Sequence, residues 1–112
     1  MHEISLMEET LTIILETAQK ENAAKIHRLN MRIGEVSGVV PEALQFAFDV
    51  TTQGTIAADA QLNIELVPTL CHCTECNRKF APIDIIYQCE CGSLNNKIIQ
   101  GKEIEIVSLE IS

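Results

Sequence analysis

The chain begins with apolar residues at helical spacing. Between residues 6 and 18 they recur every three or four positions, which is typical of an amphipathic helix. Ser5 and Glu8 stand in the S-x-x-E pattern of a capping box. The pattern therefore predicts a helix that begins after Ser5 and ends near Asn22, leaving residues 1–4 as a short arm ahead of the helix.

Three later segments alternate apolar and polar residues with a period of two, which is the pattern of a half-buried strand. They cover residues 26–34, 61–67 and 103–111. In the last segment the apolar phase shifts between Ile106 and Val107. This shift indicates either a strand that is buried on both faces or a strand with a β-bulge.

A second helix is predicted between the first two strands. Pro41 suits its first turn, and Gly54 suits its end. Leu44 and Phe48 lie on its inner face at helical spacing, and Phe46 is expected to be partly covered.

The order of elements is helix, strand, helix, strand, cysteine-rich segment and strand. Two strands joined by a helix can lie parallel, and the strands that flank the cysteine segment can pair antiparallel. The predicted fold is α+β, with two helices on a small mixed three-stranded sheet and a zinc-knuckle insertion between the last two strands. The predicted domains are residues 1–68 with 101–112, and residues 69–100.

The cysteine-rich segment holds all five cysteines of the chain. Cys73 and Cys76 form a C-x2-C pair, and Cys89 and Cys91 form a tighter C-x-C pair. Two such pairs brought together by a hairpin can close a tetrahedral thiolate site around Zn²⁺. Iron uses similar sulfur sets, but zinc is the commoner ion in a closed structural site. Two disulfides are the alternative, which the reduced thiols of a cytosolic protein disfavour.

Composition and charge exclude several functions. Sixteen acidic residues face eight basic ones, for a net charge of −8, which disfavours non-specific binding to nucleic acid. No apolar run approaches the roughly 20 residues of a membrane helix, and the acidic start lacks the basic region of a signal peptide. We therefore expect a cytoplasmic protein that binds neither nucleic acid nor membrane.

The sequence also predicts that the protein is not an enzyme. It contains no recognisable set of nucleophile, base and orienting group, and no Gly-rich phosphate loop. Four thiolate ligands would leave Zn²⁺ no open position for water, so hydrolytic zinc chemistry is not expected.

Four motifs occur together in the order and at the spacing of one known family. They are Met1-His2-Glu3, Ile33-Gly34-Glu35, the two cysteine pairs, and Gln100-Gly101 before the last strand. The chain resembles the HypA/HybF family of hydrogenase maturation factors over essentially its whole length. The resemblance implies a nickel metallochaperone that works with a HypB-type GTPase and delivers Ni²⁺ to the large subunit of [NiFe]-hydrogenase. It also implies a role in urease maturation in some bacteria, and it leaves a homodimer open.

The resemblance implies one metal site in each predicted domain. Residues 69–100 would bind a structural Zn²⁺, and the α+β domain would bind a transferable Ni²⁺ around His2. The implied zinc ligands are Cys73, Cys76, Cys89 and Cys91. The candidate nickel ligands are His2, the backbone amide or the carboxylate of Glu3, and the amine of Met1. Nitrogen donors of this kind suit Ni²⁺ in a square-planar geometry.

Several residues near these sites have roles that the sequence leaves open. In some family members an acidic residue supports the nickel site at a position that aligns with Val40, so this ligand is missing here. Glu35 and Glu42 are possible replacements, although surface carboxylates are the favoured interpretation. Cys71 is either a spare thiol, which is favoured, or a substitute zinc ligand, and a role for the neighbouring His72 in linking the two metals is disfavoured.

A second hypothesis comes from a different functional class. It is a zinc-ribbon adaptor that binds other proteins and carries no transferable metal. The cysteine pairs support both hypotheses equally, so the start of the chain has to discriminate between them. An adaptor would tolerate replacement of His2, whereas a nickel metallochaperone would not. A redox switch through Cys71 is a third and weaker interpretation, since it needs an exposed, acidic thiol.

Overall fold

The computed structural model describes residues 2–112, and the candidate ligand Met1 lies outside them. The elements are α1 (Glu3–Lys20), β1 (Ile26–Gly34), α2 (Pro41–Thr51), β2 (Gln61–Val67), β3 (Leu70–Cys73), β4 (Lys79–Phe80), β5 (Asn96–Gln100) and β6 (Ile104–Ile111). This order confirms the predicted succession of elements. Within residues 2–112, neither helix is long and apolar enough to cross a membrane.

The larger sheet has the strand order β2-β1-β6. Strand β1 lies parallel to β2, as the helical crossover predicts, and antiparallel to β6. The predicted antiparallel pairing of β2 with β6 is wrong, because these strands lie on opposite sides of β1. Strand β1 takes the central position because its inner face is the most apolar: Leu29, Met31 and Ile33 are at most 2% exposed.

The last strand contains the bulge that its apolar phase shift indicated. Asn30 pairs with Ser108, whereas the next residue, Met31, pairs with Ile106. Val107 is the extra residue of β6 at this point, and its side chain is largely exposed. The bulge alternative is therefore confirmed for β6.

Both helices pack on one face of the larger sheet and form a single apolar core with it. The core joins Met7 and Ile14 of α1, Leu44 and Phe48 of α2, and the inner side chains of β1. The expectation that Phe46 is partly covered is wrong, because its side chain is 64% exposed. Phe46 lies about 160° around the helix from Leu44 and therefore points away from the sheet.

The start of α1 differs from the predicted capping box. The helix begins at Glu3, and the N-cap residue is His2 rather than Ser5, with no side-chain hydrogen bond at the cap. The Leu6 N–H donates to the His2 carbonyl at 3.0 Å. The physical reason for the longer helix is a tertiary contact, since the Val40 N–H donates to the Glu3 carboxylate at 3.1 Å and holds the first turn against α2.

The end of α1 follows the chemistry of a Schellman motif. The helix ends at Lys20, two residues before the predicted end at Asn22. Asn22 adopts a left-handed conformation with φ of 55°. The Ala23 N–H then donates to the Ala18 carbonyl at 2.9 Å, which satisfies a carbonyl that the helix leaves free.

The cysteine-rich segment forms a second sheet that the sequence did not predict. We call residues 69–100 the insertion and residues 2–68 with 101–112 the body. Strand β3 is central in the insertion and pairs antiparallel with both β4 and β5. The radius of gyration is 17.6 Å, against about 13 Å for a compact chain of this length. The molecule is therefore elongated, while its division into two domains at these boundaries remains a prediction.

The insertion leaves and rejoins the body at a tightly packed junction. We define the junction as Gly34, Glu35, Val36, Thr69 and Gly101. A Cβ atom on Gly34 would lie 2.0 Å from the Gly101 carbonyl oxygen, so only glycine fits there. The Val36 N–H donates to this same carbonyl at 2.8 Å, and the Thr69 hydroxyl donates to the Glu35 carboxylate at 3.0 Å.

Candidate functional site

Two tight turns position the four cysteines of the predicted zinc site. Cys73 ends β3, and Asn77, with φ of 62°, donates its N–H back to the Cys73 carbonyl at 3.0 Å. The second turn is similar, since Gly92, with φ of 92°, donates its N–H to the Cys89 carbonyl at 2.8 Å. Because a left-handed residue closes each turn, both sulfurs of a pair face the same point.

The four sulfur atoms form a compact set with the dimensions of a metal site. The Sγ atoms of Cys73, Cys76, Cys89 and Cys91 all lie within 4.8 Å of one another. Cys73 Sγ lies 3.7 Å from Cys91 Sγ, and Cys76 Sγ lies 3.5 Å from Cys89 Sγ. A ZnS₄ tetrahedron with Zn–S bonds of about 2.3 Å has sulfur separations of about 3.8 Å. The donor set therefore fits Zn²⁺, and all five cysteines are free thiols rather than disulfides.

Main-chain N–H groups stabilise thiolates within this set. The Arg78 N–H is the main reason why the pKa of Cys76 falls to about 6, and the Cys76 N–H lowers the pKa of Cys73 in the same way. The Ser93 N–H also favours a thiolate at Cys91, but desolvation and the neighbouring sulfurs outweigh it and raise the pKa of Cys91 to about 11. A divalent cation would relieve this repulsion between sulfurs.

The fifth cysteine lies outside the sulfur set. Cys71 is fully buried in β3, and burial raises the pKa of its thiol. His72, the residue between Cys71 and Cys73, is half-buried. Within residues 2–112, the only group of three or more His, Cys, Asp or Glu side chains that could hold a metal is the set of four cysteines. The geometry thus agrees with the spare-thiol interpretation of Cys71.

The predicted nickel residues lie at the first turn of α1. The His2 side chain is exposed, and it lines a pocket of about 270 Å³ together with Glu3, Ile4, Ala43 and Phe46. The first hydrogen bond of the helix runs from the Leu6 N–H to the His2 carbonyl. The N–H groups of His2 and Glu3 precede this bond, so they have no partner within the helix.

The carboxylate of Glu3 contacts the main chain of Val40. The 3.1 Å hydrogen bond from the Val40 N–H lowers the pKa of Glu3, and the N–H of Glu3 itself acts in the same direction. Val40 is the N-cap residue of α2 and offers no side-chain oxygen. Glu35 accepts its hydrogen bond from Thr69 at the junction, and Glu42 is exposed on α2. Sequence reasoning missed the Glu3–Val40 contact, because a bond across 37 positions leaves no local signal.

Comparisons with known proteins agree with this arrangement. A family model described as hydrogenase/urease nickel incorporation, metallochaperone, hypA matches residues 1–111. The chain is 52% identical over 112 residues to a hydrogenase maturation factor HypA of a Picosynechococcus species, and the match covers 99% of each chain. It is 39% identical over 112 residues to the hydrogenase maturation factor HypA of Acidithiobacillus ferrooxidans, again with 99% of each chain covered.

Two solved structures share the whole fold. The solution structure of a HypA protein is 33% identical, with a TM-score of 0.75 over 100% of this chain and 97% of that chain. The solution structure of the Ni metallochaperone HypA from Helicobacter pylori is 32% identical, with a TM-score of 0.68 over 99% of this chain and 97% of that chain. The similarity therefore extends over the body and the insertion together.

Proposed function

Because this chain belongs to the HypA family of hydrogenase and urease nickel-incorporation metallochaperones, we propose that it binds Ni²⁺ at the start of α1 and delivers it to an assembling [NiFe]-hydrogenase. A metallochaperone carries a metal and catalyses no reaction, so the protein is not an enzyme. Membership of a family of maturation factors also makes it part of the maturation machinery.

The observation that carries the nickel site is the position of His2 as the N-cap of α1. The main-chain N–H groups of His2 and Glu3 have no partner within the helix, so their loss of a proton to Ni²⁺ would break no helical bond. With the His2 imidazole, they offer adjacent nitrogen donors for a square-planar ion. The amine of Met1 is a further nitrogen donor in this proposal.

The Glu3 carboxylate has a different role in this proposal. It accepts the hydrogen bond from the Val40 N–H, which ties the first turn of α1 to the start of α2. We infer that Glu3 contributes its main-chain nitrogen to Ni²⁺, whereas its carboxylate orients the turn.

We propose that Cys73, Cys76, Cys89 and Cys91 hold a structural Zn²⁺. The sulfur separations of 3.5 and 3.7 Å and the confinement of all four sulfurs within 4.8 Å support this assignment. When bound, Zn²⁺ would cross-link the two turns of the insertion, and four thiolates would leave no position open for catalysis. The two turns of the insertion hold the four sulfur atoms close enough together to bind one ion.

The proposed partners follow from the family. They are a HypB-type GTPase and the large subunit of [NiFe]-hydrogenase as the recipient of the nickel, and urease maturation is a further proposed use. A homodimer remains a prediction. We also propose that the protein works in the cytoplasm, where zinc-binding thiols remain reduced.

The test of the nickel site is a calorimetric titration of Ni²⁺ into zinc-loaded, untagged protein. We expect stoichiometric binding that disappears in His2→Ala and that weakens as the pH falls, because the nitrogen donors must lose protons to bind. The matched control is His27→Ala, which removes an exposed histidine of β1 that contacts Ser112. Equal binding in His2→Ala and the wild type would contradict the proposed site and favour a zinc-stabilised adaptor.

A further inference from the structure

We propose that the apolar groove beside His2 is the docking surface for the protein that receives the Ni²⁺, and that the docking segment is an amphipathic helix with basic flanks. This inference rests on the proposed function and deepens it. We define the groove as the pocket residues Ile4, Ala43 and Phe46 together with Val50 on the next turn of α2. His2 and Glu3 lie at one end of it.

The groove is apolar although it faces solvent. Ile4 is 49% exposed, Phe46 is 64% exposed and Val50 is 46% exposed. Residues 43, 46 and 50 follow the i, i+3, i+7 spacing of one helix face. This face adjoins the buried face of α2, which Leu44, Ala47 and Phe48 form, because Ala43 and Ala47 are one helical turn apart. The apolar surface of α2 therefore extends beyond the part that the core covers.

Acidic side chains border the groove. Glu42 and Asp49 are exposed on one side of α2, about two turns apart and next to the apolar face. Glu8 is exposed one turn after Ile4 on α1. The basic residue that α1 and α2 contain, Lys20, lies at the far end of α1, about 26 Å from its start. This distribution favours a partner segment that carries Lys or Arg beside its apolar face.

The position of the groove identifies which partner must occupy it. Direct transfer of Ni²⁺ requires a donor atom of the recipient to reach the metal while the His2 nitrogen leaves. His2 lines the same pocket as Ile4 and Phe46, so a segment bound along these residues would have one end beside His2. The span from Ala43 to Val50 is about 10 Å, or two helical turns, which suits a short helix packed into a groove.

The probe for this proposal is a synthetic helical peptide with a leucine face flanked by lysines, and its control is the same peptide with glutamates in place of the lysines. We expect the lysine peptide to bind the zinc-loaded chain and to shift the NMR signals of Ile4, Ala43, Phe46 and Val50. Its affinity should fall as salt is added. Equal binding of the two peptides, or shifts confined to the insertion, would overturn the proposal.

A matched pair of variants locates the contact. Val50→Lys should weaken binding of the lysine peptide about tenfold, because it adds a like charge and removes apolar contact area. Ile13→Lys adds the same charge at a position of α1 that is 53% exposed and lies about 180° around the helix from Ile4. The affinity of Ile13→Lys for the lysine peptide should differ from that of the wild type by less than about twofold. Unchanged affinity in Val50→Lys would contradict the assignment of the groove.

A second arm of the experiment links docking to metal transfer. The lysine peptide extended by two histidines should remove Ni²⁺ from the loaded chain faster than the extended glutamate peptide. Its histidine nitrogens bind the ion as the His2 and main-chain nitrogens leave, and the released amides regain protons from water. Equal transfer rates would overturn the proposal.

The failure of docking can be separated from the failure of the nickel site. His2→Ala should abolish Ni²⁺ binding but leave peptide binding intact, whereas Val50→Lys should bind Ni²⁺ as the wild type does. Ni²⁺ binding that survives in His2→Ala would contradict the proposed nickel site alone. Peptide binding that survives in Val50→Lys would contradict the docking surface alone.

Discussion

The body and the insertion differ in what keeps them folded. The body buries a continuous apolar cluster that includes Met7, Leu29, Leu44 and Phe48. The buried side chains of the insertion are Thr69 and three cysteines, Cys71, Cys73 and Cys89. None of its large apolar side chains is buried: Leu70, Phe80 and Ile98 are half-buried. The exposed ones are Ile83, Ile85, Ile86, Leu94 and Ile99. A segment of this size without an apolar core needs another source of stability, which a structural metal supplies.

The two regions differ in charge as well. The insertion contains three basic residues, Arg78, Lys79 and Lys97, and three acidic ones, Glu75, Asp84 and Glu90. The formal net charge of −8 therefore resides entirely in the rest of the chain. An acidic surface attracts cations and basic partners in the region where we propose that Ni²⁺ binds. The insertion has no formal net charge, and its candidate metal ligands are four cysteine sulfurs rather than carboxylates.

The largest expected effect is the loss of the insertion's fold when one proposed zinc ligand is removed. Cys76→Ser should lower the zinc content and unfold residues 69–100 while the helices of the body remain. Structural Zn²⁺ contributes about 10–16 kcal/mol in small metal-dependent folds, and the insertion has no apolar core to replace it. Elemental analysis measures the metal, and NMR dispersion together with the helical circular dichroism signal follows the two regions separately.

The matched control for this prediction is Cys71→Ala. Cys71 is buried in the same strand but lies outside the set of four sulfurs, so this variant should keep its zinc. Zinc loss in Cys71→Ala, or full zinc content in Cys76→Ser, would mean that the ligand assignment is wrong. Loss of the helical signal in Cys76→Ser would mean that the body depends on the metal too, and that the contrast between the regions does not hold.

Removing apolar volume from the body should destabilise the body and leave the zinc content unchanged, which is the opposite of the effect expected for Cys76→Ser. Phe48 is 1% exposed, so Phe48→Ala should lower the free energy of unfolding of the body by about 3–5 kcal/mol through lost burial and a residual cavity. Zinc content should not change. Phe46→Ala is the control, because this side chain is 64% exposed and its removal should cost less than about 0.5 kcal/mol. Chemical denaturation followed by circular dichroism measures both, and zinc loss in Phe48→Ala would contradict independent folding.

The elements of the body were predictable because their signals are local. The alternation of apolar and polar residues in β1, and the helical spacing of apolar residues in α1 and α2, come from each element's own residues. The phase shift at Val107 indicated a bulge in β6, which the pairing of β6 with β1 confirms. One error arose where a tertiary contact decides the outcome. Ser5 had the sequence of an N-cap, but the bond between Glu3 and Val40 extends α1 beyond it. The error at Phe46 had a local cause: its large apolar side chain suggested partial burial, but helical spacing alone places it about 160° around α2 from Leu44, on the face that points to solvent.

The candidate metal site was predictable for the same reason. Cysteine spacing is a local signal, so the four residues that the structure brings together could be named from sequence. The second sheet could not, because β4 has only two residues and carries no periodicity. Nor could the junction, where Gly34 fits the strand pattern as an alternating small residue. Position 34 requires glycine because the main chain of Gly101 approaches it closely. Gly101 is 67 positions away in sequence, so local sequence patterns give no sign of this contact.

The smallest predicted effect concerns the contact between the two regions. The Thr69 hydroxyl donates to the Glu35 carboxylate at 3.0 Å, and Thr69 is 3% exposed. Thr69→Val keeps the branched shape and removes the donor. The exposed Glu35 carboxylate can turn to water instead, so the free energy of unfolding should fall by only about 0.5–1.5 kcal/mol. Thermal unfolding measures this loss, and zinc and nickel binding should stay unchanged.

The informative result of Thr69→Val is the mobility of the insertion. The hydrogen bond from the Val36 N–H to the Gly101 carbonyl remains in this variant, so the insertion should stay attached but reorient more freely. NMR relaxation should then show faster tumbling of residues 69–100 relative to the body. Glu35→Gln is the control, because its side-chain oxygen still accepts the hydrogen bond and its relaxation should match the wild type. Identical relaxation in Thr69→Val and Glu35→Gln would show that the backbone alone fixes the junction, since one variant breaks the side-chain bond and the other keeps it.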